Sequence, residues 1–209
     1  KMSKIKAILF DMDGVLIEAK DWHYEALNGA LRIFGCEISL YDHLVTFDGL
    51  PTKHKLNMLS SLGKLPKDLH PIINIMKQKH TMRMILNKCK PLFNHQYAIS
   101  KLHSEGYKMA VCSNSIRKSV EVMIEQAGLN QYFDFYVSNE DVEKGKPDPE
   151  MYNLAMNKMN LKPEQCLILE DNENGIKAAV ESGGHLLKIG EVTDVTYLAI
   201  KNRILELEK

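Results

Sequence analysis

The sequence predicts an α/β fold: a parallel sheet built from right-handed βαβ units, with a helical insert after the first strand. Three observations predict it. Five short apolar runs of strand length lie at 5–10, 109–112, 133–137, 166–169 and 185–189, and helical patterns alternate with the later ones. The stretch 18–88 carries helical spacing with no strand pattern inside it. The first run ends in two carboxylates, Asp11 and Asp13, followed by Gly14. That is where open α/β sheets bind their ligands, outside the carboxyl ends of the strands.

The elements follow in order. Residues 5–10 read as a strand buried on both faces. From 21 to 34 the apolar residues Trp22, Ala26, Leu27, Ala30, Leu31 and Phe34 recur at helical spacing, and 51–62 and 66–86 continue as helices. An insert of this size reads as a separate domain, which places a core at 1–17 and 89–209 and a helical domain at 18–88. The segment 94–106 returns to the core as a helix. The helix 115–127 opens on Ser115 as its N-cap and closes before Gly128. Asp148 caps the next, with Pro149 at the first helical position, leading to Met159. A helix over 172–182 stops at Gly183-Gly184, and 195–208 forms a last one.

The composition narrows the function classes. Hydrophobic residues make up 44% of the 209 and charged residues 26%, an ordinary globular balance. Lys plus Arg equals Asp plus Glu at 27 each, so no global basic field attracts nucleic acid. No apolar run reaches membrane-spanning length. The eight histidines lack metal-ligand spacing. Cys36, Cys89, Cys112 and Cys166 form no C-x-x-C pair, which disfavours a zinc knuckle or dithiol redox site and fits a reducing cytoplasm. Cys112 and Cys166 sit in apolar strand-like runs and read as buried thiols. Lys1 ahead of Met2 reads as an expression remnant outside the fold.

Polar residues cluster at or just after strand ends. Four such sites are Asp11 and Asp13 after the first run, Ser113-Asn114-Ser115 after the second, then Lys144-Gly145-Lys146-Pro147-Asp148-Pro149, and Glu170-Asp171 after the fourth. Strand ends of a parallel sheet share one edge, so these sites converge in space. Their types match phosphoryl transfer. Carboxylates on two strands can hold Mg²⁺, which takes oxygen ligands. A hydroxyl, an amide and the N–H groups opening a helix bind phosphate oxygens. A lysine offsets developing negative charge. One carboxylate attacks phosphorus and the other moves a proton. Taken singly, each site has a plainer reading as a turn, a helix cap or a loop. The ordered combination gives the set its chemical meaning.

Asp11-Met12-Asp13-Gly14-Val15-Leu16, Ser113-Asn114-Ser115, Gly145-Lys146-Pro147-Asp148-Pro149 and Leu169-Glu170-Asp171-Asn172-Glu173-Asn174-Gly175-Ile176 together resemble the four motifs of the haloacid dehalogenase superfamily, in order and across nearly the whole chain. The helical insert resembles the cap of its β-phosphoglucomutase and phosphoglycolate-phosphatase-like members. The resemblance implies a Rossmann-like three-layer α/β/α core with a five-stranded parallel sheet of order 5-4-1-2-3, which would bring Asp11 beside Asp171. It implies Asp11 as nucleophile and Asp13 as general acid/base. Ser113 and Asn114 would bind the phosphoryl group and Lys146 would neutralise it. Asp11, the Asp13 backbone carbonyl, Asp171 and Glu170 would hold Mg²⁺. Members that are dehalogenases lack an acid at the position of Asp13, because halide leaves without a proton, so Asp13 favours phosphate esters.

In cap-bearing relatives a histidine on the first cap helix and an arginine in a later loop face the site. His23 matches the first, while Thr52, with Lys53 next to it, stands where mutases carry the arginine. His23 also reads as an ordinary exposed histidine, and Lys53 and Lys55 as solvated helix residues. Trp22, Met76, Met82 and Met84 read as cap packing. The expectation is a Mg²⁺-dependent phosphatase of small phosphate esters whose cap opens and closes about hinges near 15–20 and 86–93. A sugar-phosphate mutase is the alternative, and a non-catalytic phospho-binding module a further one. Nothing in the sequence demands an oligomer.

Overall fold

The computed structural model describes residues 4–209; Lys1 and Met2, with the expression-remnant reading attached to them, lie outside the described residues. In chain order the main elements are β1 (Ala7–Phe10), α1 (Lys20–Arg32), α2 (Leu40–Asp42), α3 (Thr52–Ser61), α4 (His70–Lys88), α5 (Phe93–Ser104), β2 (Lys108–Cys112), α6 (Arg117–Gln126), β3 (Phe135–Val137), α7 (Glu150–Met159), β4 (Cys166–Glu170), α8 (Glu173–Glu181), β5 (His185–Lys188) and α9 (Tyr197–Leu207). They divide into two compact units, one running to Glu18 and resuming at Cys89–Lys209, the other Ala19–Lys88.

The first unit is an α/β core. Its sheet is parallel throughout with order β3-β2-β1-β4-β5, the expected 5-4-1-2-3 arrangement read from the opposite edge. β1 lies at the centre, with Phe10 opposite Val111 on β2 and Leu169 on β4. That register brings Asp11, Ser113 and Glu170 out at one edge. Alternation along the strands sends Ala7, Leu9, Ala110 and Ile168 to one face, where Met151, Tyr152, Ala155 and Met156 of α7 and Ala178 and Ala179 of α8 pack on them. Ile8, Phe10, Met109 and Val111 point the other way and are equally buried, which explains why β1 reads as a continuous apolar run.

The second unit is all-helical among the described residues. α1 and α4 pack along each other. Leu27, Leu31, Ile38, Phe47, Leu56, Leu59 and Ile73 form its core. The Asn28 amide closes the α1–α2 connection, donating to the Ile38 carbonyl at 2.9 Å and accepting from the Ile38 N–H at 2.9 Å. After α2 the chain makes a π-helical turn, His43–Phe47.

Several local expectations are corrected. Pro149 occupies the N-cap of α7 rather than its first turn, and Asp148 Oδ1 accepts from the Glu150 N–H at 3.0 Å. Ser115 does not cap α6; Ile116 stands at the cap, and Glu140 Oε2 accepts from the Arg117 N–H at 2.6 Å. A carboxylate from a distant loop thus takes the capping task, which no local pattern encodes. The predicted helix 66–86 divides into a 3₁₀ turn, Lys67–Leu69, and α4. Lys53 is exposed as expected, but Lys55 is buried. The four cysteines are free and buried, in keeping with the reading of Cys112 and Cys166 as buried thiols. No helix among the described residues is long and apolar enough to cross a membrane.

Candidate active site

The site is built at the carboxyl ends of β1, β2 and β4. Asp11 follows β1, and its N–H still donates to the Leu169 carbonyl of β4 at 3.0 Å, so the backbone beneath the carboxylate belongs to the sheet. The chain then folds sharply. The Met12 carbonyl accepts from Leu16 and Ile17, and Gly14, at φ 88°, takes a left-handed conformation that a side chain would strain. Ser113 follows β2 and is tied to β3 by its N–H on the Val137 carbonyl at 2.9 Å. Glu170 ends β4.

Lys146 reaches these ends from the loop before α7. Its Nζ donates to Asp11 Oδ1, to Glu170 Oε1 and to the Cys112 carbonyl, each at 2.7 Å. Three acceptors satisfy all three ammonium protons. The backbone of Lys146 is held as well: Asn114 Oδ1 accepts from its N–H at 2.9 Å and Asn114 Nδ2 donates to its carbonyl at 3.1 Å. Asn114 thereby links the end of β2 to the lysine loop.

Asp11, Glu170 and Asp171 bring one carboxylate oxygen each within 4.8 Å of one another. Burial, and next the Glu170 charge, push Asp11 well above the usual carboxylate range, with Lys146 opposing. Glu170 is raised by burial against the pull of Lys146. Burial works against the Lys146 ammonium too, but Asp11 and Glu170 outweigh it and hold its pKa above the ordinary value. One lysine among three carboxylates leaves an excess of negative charge in a buried place. Glu170 Oε2 is buried and has no hydrogen-bond partner. An oxygen-only donor set, an excess of negative charge and an orphaned carboxylate oxygen together fit a hard divalent cation such as Mg²⁺.

Asp13 is treated differently. It is half-buried and lies outside the three-carboxylate group, and the Ser115 hydroxyl donates to its Oδ2 at 3.3 Å. The two acids of the opening motif thus occupy unlike surroundings, one in an ion-paired buried cluster and one beside a hydroxyl.

The family model for haloacid dehalogenase-like hydrolases matches residues 8–189. The chain belongs to that family. Among similar proteins, a phosphorylated carbohydrates phosphatase of Thermotoga maritima is 27% identical over 86% of this chain and 82% of its own length. The fructose-1-phosphate phosphatase YqaB of Escherichia coli is 27% identical over 84% and 92%. Among solved structures, a β-phosphoglucomutase from Clostridium difficile superposes with a TM-score of 0.83 at 19% identity, covering 97% of this chain and 98% of that one. This last likeness shows the fold.

The remaining predicted residues of this family member lie in the helical unit. His23 is on α1, with Nδ1 3.4 Å from Lys77 Nζ on α4. Thr52 opens α3 and is half-buried; Lys53 is exposed. Three residues of the α/β site make contacts there that the local sequence pattern does not show. Ser115 reads as a helix cap, yet its hydroxyl donates to Asp13 Oδ2. Tyr152 reads as one apolar position in the α7 pattern, yet its hydroxyl donates to Glu170 Oε1. Gly175 reads as a helix residue, yet a Cβ there would lie 2.0 Å from Glu170 Oε2. No local signal distinguishes these three; their meaning comes from the contact across the fold.

Proposed function

We propose that this chain is a Mg²⁺-dependent phosphatase of small phosphate monoesters, working through an aspartyl-phosphate on Asp11. The observation that carries the reading is the inequality of the two acids: Asp11 is fixed by Lys146 inside a carboxylate cluster, while Asp13 stands beside it with the Ser115 hydroxyl on its Oδ2. Asp11 Oδ attacks phosphorus while the bond to the leaving alkoxide breaks. Asp13 gives its proton to the departing oxygen. Asp13 then takes a proton from water as the water oxygen attacks phosphorus, which releases phosphate and restores the Asp11 carboxylate. Lys146, with Ser113 and Asn114 beside it, offsets the charge that gathers on the phosphoryl oxygens. Asp11, the Asp13 carbonyl, Glu170 and Asp171 would hold Mg²⁺, which supplies the positive charge that keeps Asp11 ionised and withdraws electrons from the phosphoryl group.

Substrate choice is assigned to the helical unit acting as a cap, with His23, Thr52 and Lys53 as its contact residues. The Thermotoga maritima and Escherichia coli relatives are named for phosphorylated carbohydrates and fructose 1-phosphate, so sugar monophosphates, with phosphoglycolate, are the first substrates to try. Free cysteines suit a reducing cytoplasm.

The test is release of inorganic phosphate from an aryl phosphate and a panel of sugar phosphates with and without Mg²⁺. Hydrolysis that needs Mg²⁺ and falls at least about 10³-fold in Asp11→Asn, the scale of losing a covalent nucleophile, supports the reading. Isomerisation of sugar phosphates with little phosphate released would replace it with a mutase, and Asp11→Asn at full activity would remove Asp11 as nucleophile.

A further inference from the structure

Tyr152 lies in the first turns of α7, fully buried, with its hydroxyl donating to Glu170 Oε1 and its ring centroid 5.0 Å from Lys146 Nζ. We infer that Tyr152 is a positioning residue of the active site, holding the Glu170 carboxylate in the orientation in which it meets the cation. The inference rests on the Mg²⁺-dependent reading above. For packing against the sheet alone, a phenylalanine ring would serve at this place. Burying a hydroxyl is unfavourable unless it is hydrogen-bonded, so the phenol is matched to the carboxylate it touches.

The donor accounting at Lys146 shows why a second donor matters. Its three protons already go to Asp11 Oδ1, Glu170 Oε1 and the Cys112 carbonyl. A proton that Lys146 turns toward a phosphoryl oxygen is therefore taken from one of those three. Glu170 Oε1 accepts from Tyr152 as well, and the phenol has no other task in the reaction. It keeps the carboxylate in place while the lysine is drawn to phosphate.

Gly175 also lies against the Glu170 carboxylate. A Cβ there would sit 2.0 Å from Glu170 Oε2 and 2.2 Å from Oε1, so a residue with a side chain would displace the carboxylate. Gly175 itself is anchored by its N–H on Asn172 Oδ1 at 3.1 Å, the N-cap of α8. Tyr152 from α7 and Gly175 from α8 together make a socket in which Oε1 is saturated and Oε2 keeps no hydrogen-bond partner. Such outer partners tune metal sites by fixing the ligand's orientation.

The experiment is Tyr152→Phe, which keeps the ring against the sheet and over Lys146 and removes only the donor. Mg²⁺ binding to metal-stripped protein is followed by titration calorimetry, with circular dichroism to verify the fold. The expected result is a native spectrum and Mg²⁺ binding weakened about tenfold. In a Glu170→Gln background the same substitution should change Mg²⁺ binding by less than about twofold, because Tyr152 acts through that carboxylate. Unchanged Mg²⁺ affinity in Tyr152→Phe, or an equal loss in both backgrounds, overturns the inference. A wild-type protein that binds Mg²⁺ but hydrolyses no phosphate ester defeats the phosphatase reading while the titration still decides the role of Tyr152. A wild type that binds no Mg²⁺ defeats both.

Discussion

Both units of this protein bury charged side chains, and they do so by different means. In the α/β unit Lys146 is 3% exposed and lies among carboxylates and a carbonyl, each held at the end of a strand or locked to the sheet. Opposite charges face one another at fixed positions. In the helical unit Lys55 and Lys77 are buried, and Lys77 Nζ lies 3.4 Å from His23 Nδ1. His43 sits on the π-helical turn, its ring centroid 4.7 Å from that of Tyr24. Burial and then Lys55 push the His43 pKa down, while Asp48 and Asp21 pull it up. The difference teaches a division of labour. Strand ends in register hold groups firmly enough for bond making, whereas the basic side chains of the helical unit stand on separate helices, His23 on α1, Lys55 on α3 and Lys77 on α4.

Three substitutions break or sharpen that contrast. The largest effect belongs to Lys146→Met. Removing the one cation among Asp11, Glu170 and Asp171 leaves buried like charges, so activity should fall beyond detection and the metal-free protein should lose about 3 kcal/mol, measured by denaturant unfolding. An active, equally stable Lys146→Met protein would mean that the charge balance is not held by this lysine. His23→Ala comes next. If the helical unit selects substrate, kcat/KM for the preferred sugar phosphate should fall about tenfold through KM, with Mg²⁺ affinity unchanged by calorimetry. A matching loss of Mg²⁺ affinity would place His23 in the same machinery as the strand ends.

The smallest effect is a pH dependence. His43 has a lowered pKa in the folded protein, below the ordinary 6.5, so the neutral ring is the form the fold favours. As pH falls below 6.5 the unfolded chain takes up a proton that the folded chain resists, and stability is lost down to the lowered folded value. His43→Phe should make that acid-side fall in unfolding free energy, followed by denaturant unfolding across pH, shallower by less than about 1 kcal/mol, since Asp48 and Asp21 offset part of the effect of burial and Lys55. His95, lowered by burial as well, keeps part of the slope. A slope unchanged by the substitution would show that His43 titrates as an exposed histidine.

Much of the fold was legible because its signals are local. Apolar runs of four to six residues, broken by Gly, Pro and acids, mark the strands, and 3.6-residue spacing marks the helices between them. Boundaries drifted where a distant group competed. α6 starts after Ile116 because Glu140 takes its first N–H, and Ser115 is freed to serve Asp13. Lys55 reads as a solvated helix residue in the sequence, and only the packing of the helical unit's elements buries it alongside Leu56 and Leu59. The Asn114 amide clasps the backbone of Lys146, a contact spanning 32 positions that no local pattern encodes.

By itself the sequence determined the α/β class, the strand ends and the acids, hydroxyl and lysine placed there, since each depends on residue type and spacing within a few positions. The tertiary structure decided what those groups do to one another. Only the packing of α7 and α8 on β4 brings both Tyr152 and Gly175 against the Glu170 carboxylate, and only the central place of β1 brings Asp11, Lys146, Glu170 and Asp171 into one charge cluster. Local propensity acts through neighbours in the chain, while electrostatics acts through neighbours in space, and the chemistry of this site depends on the second.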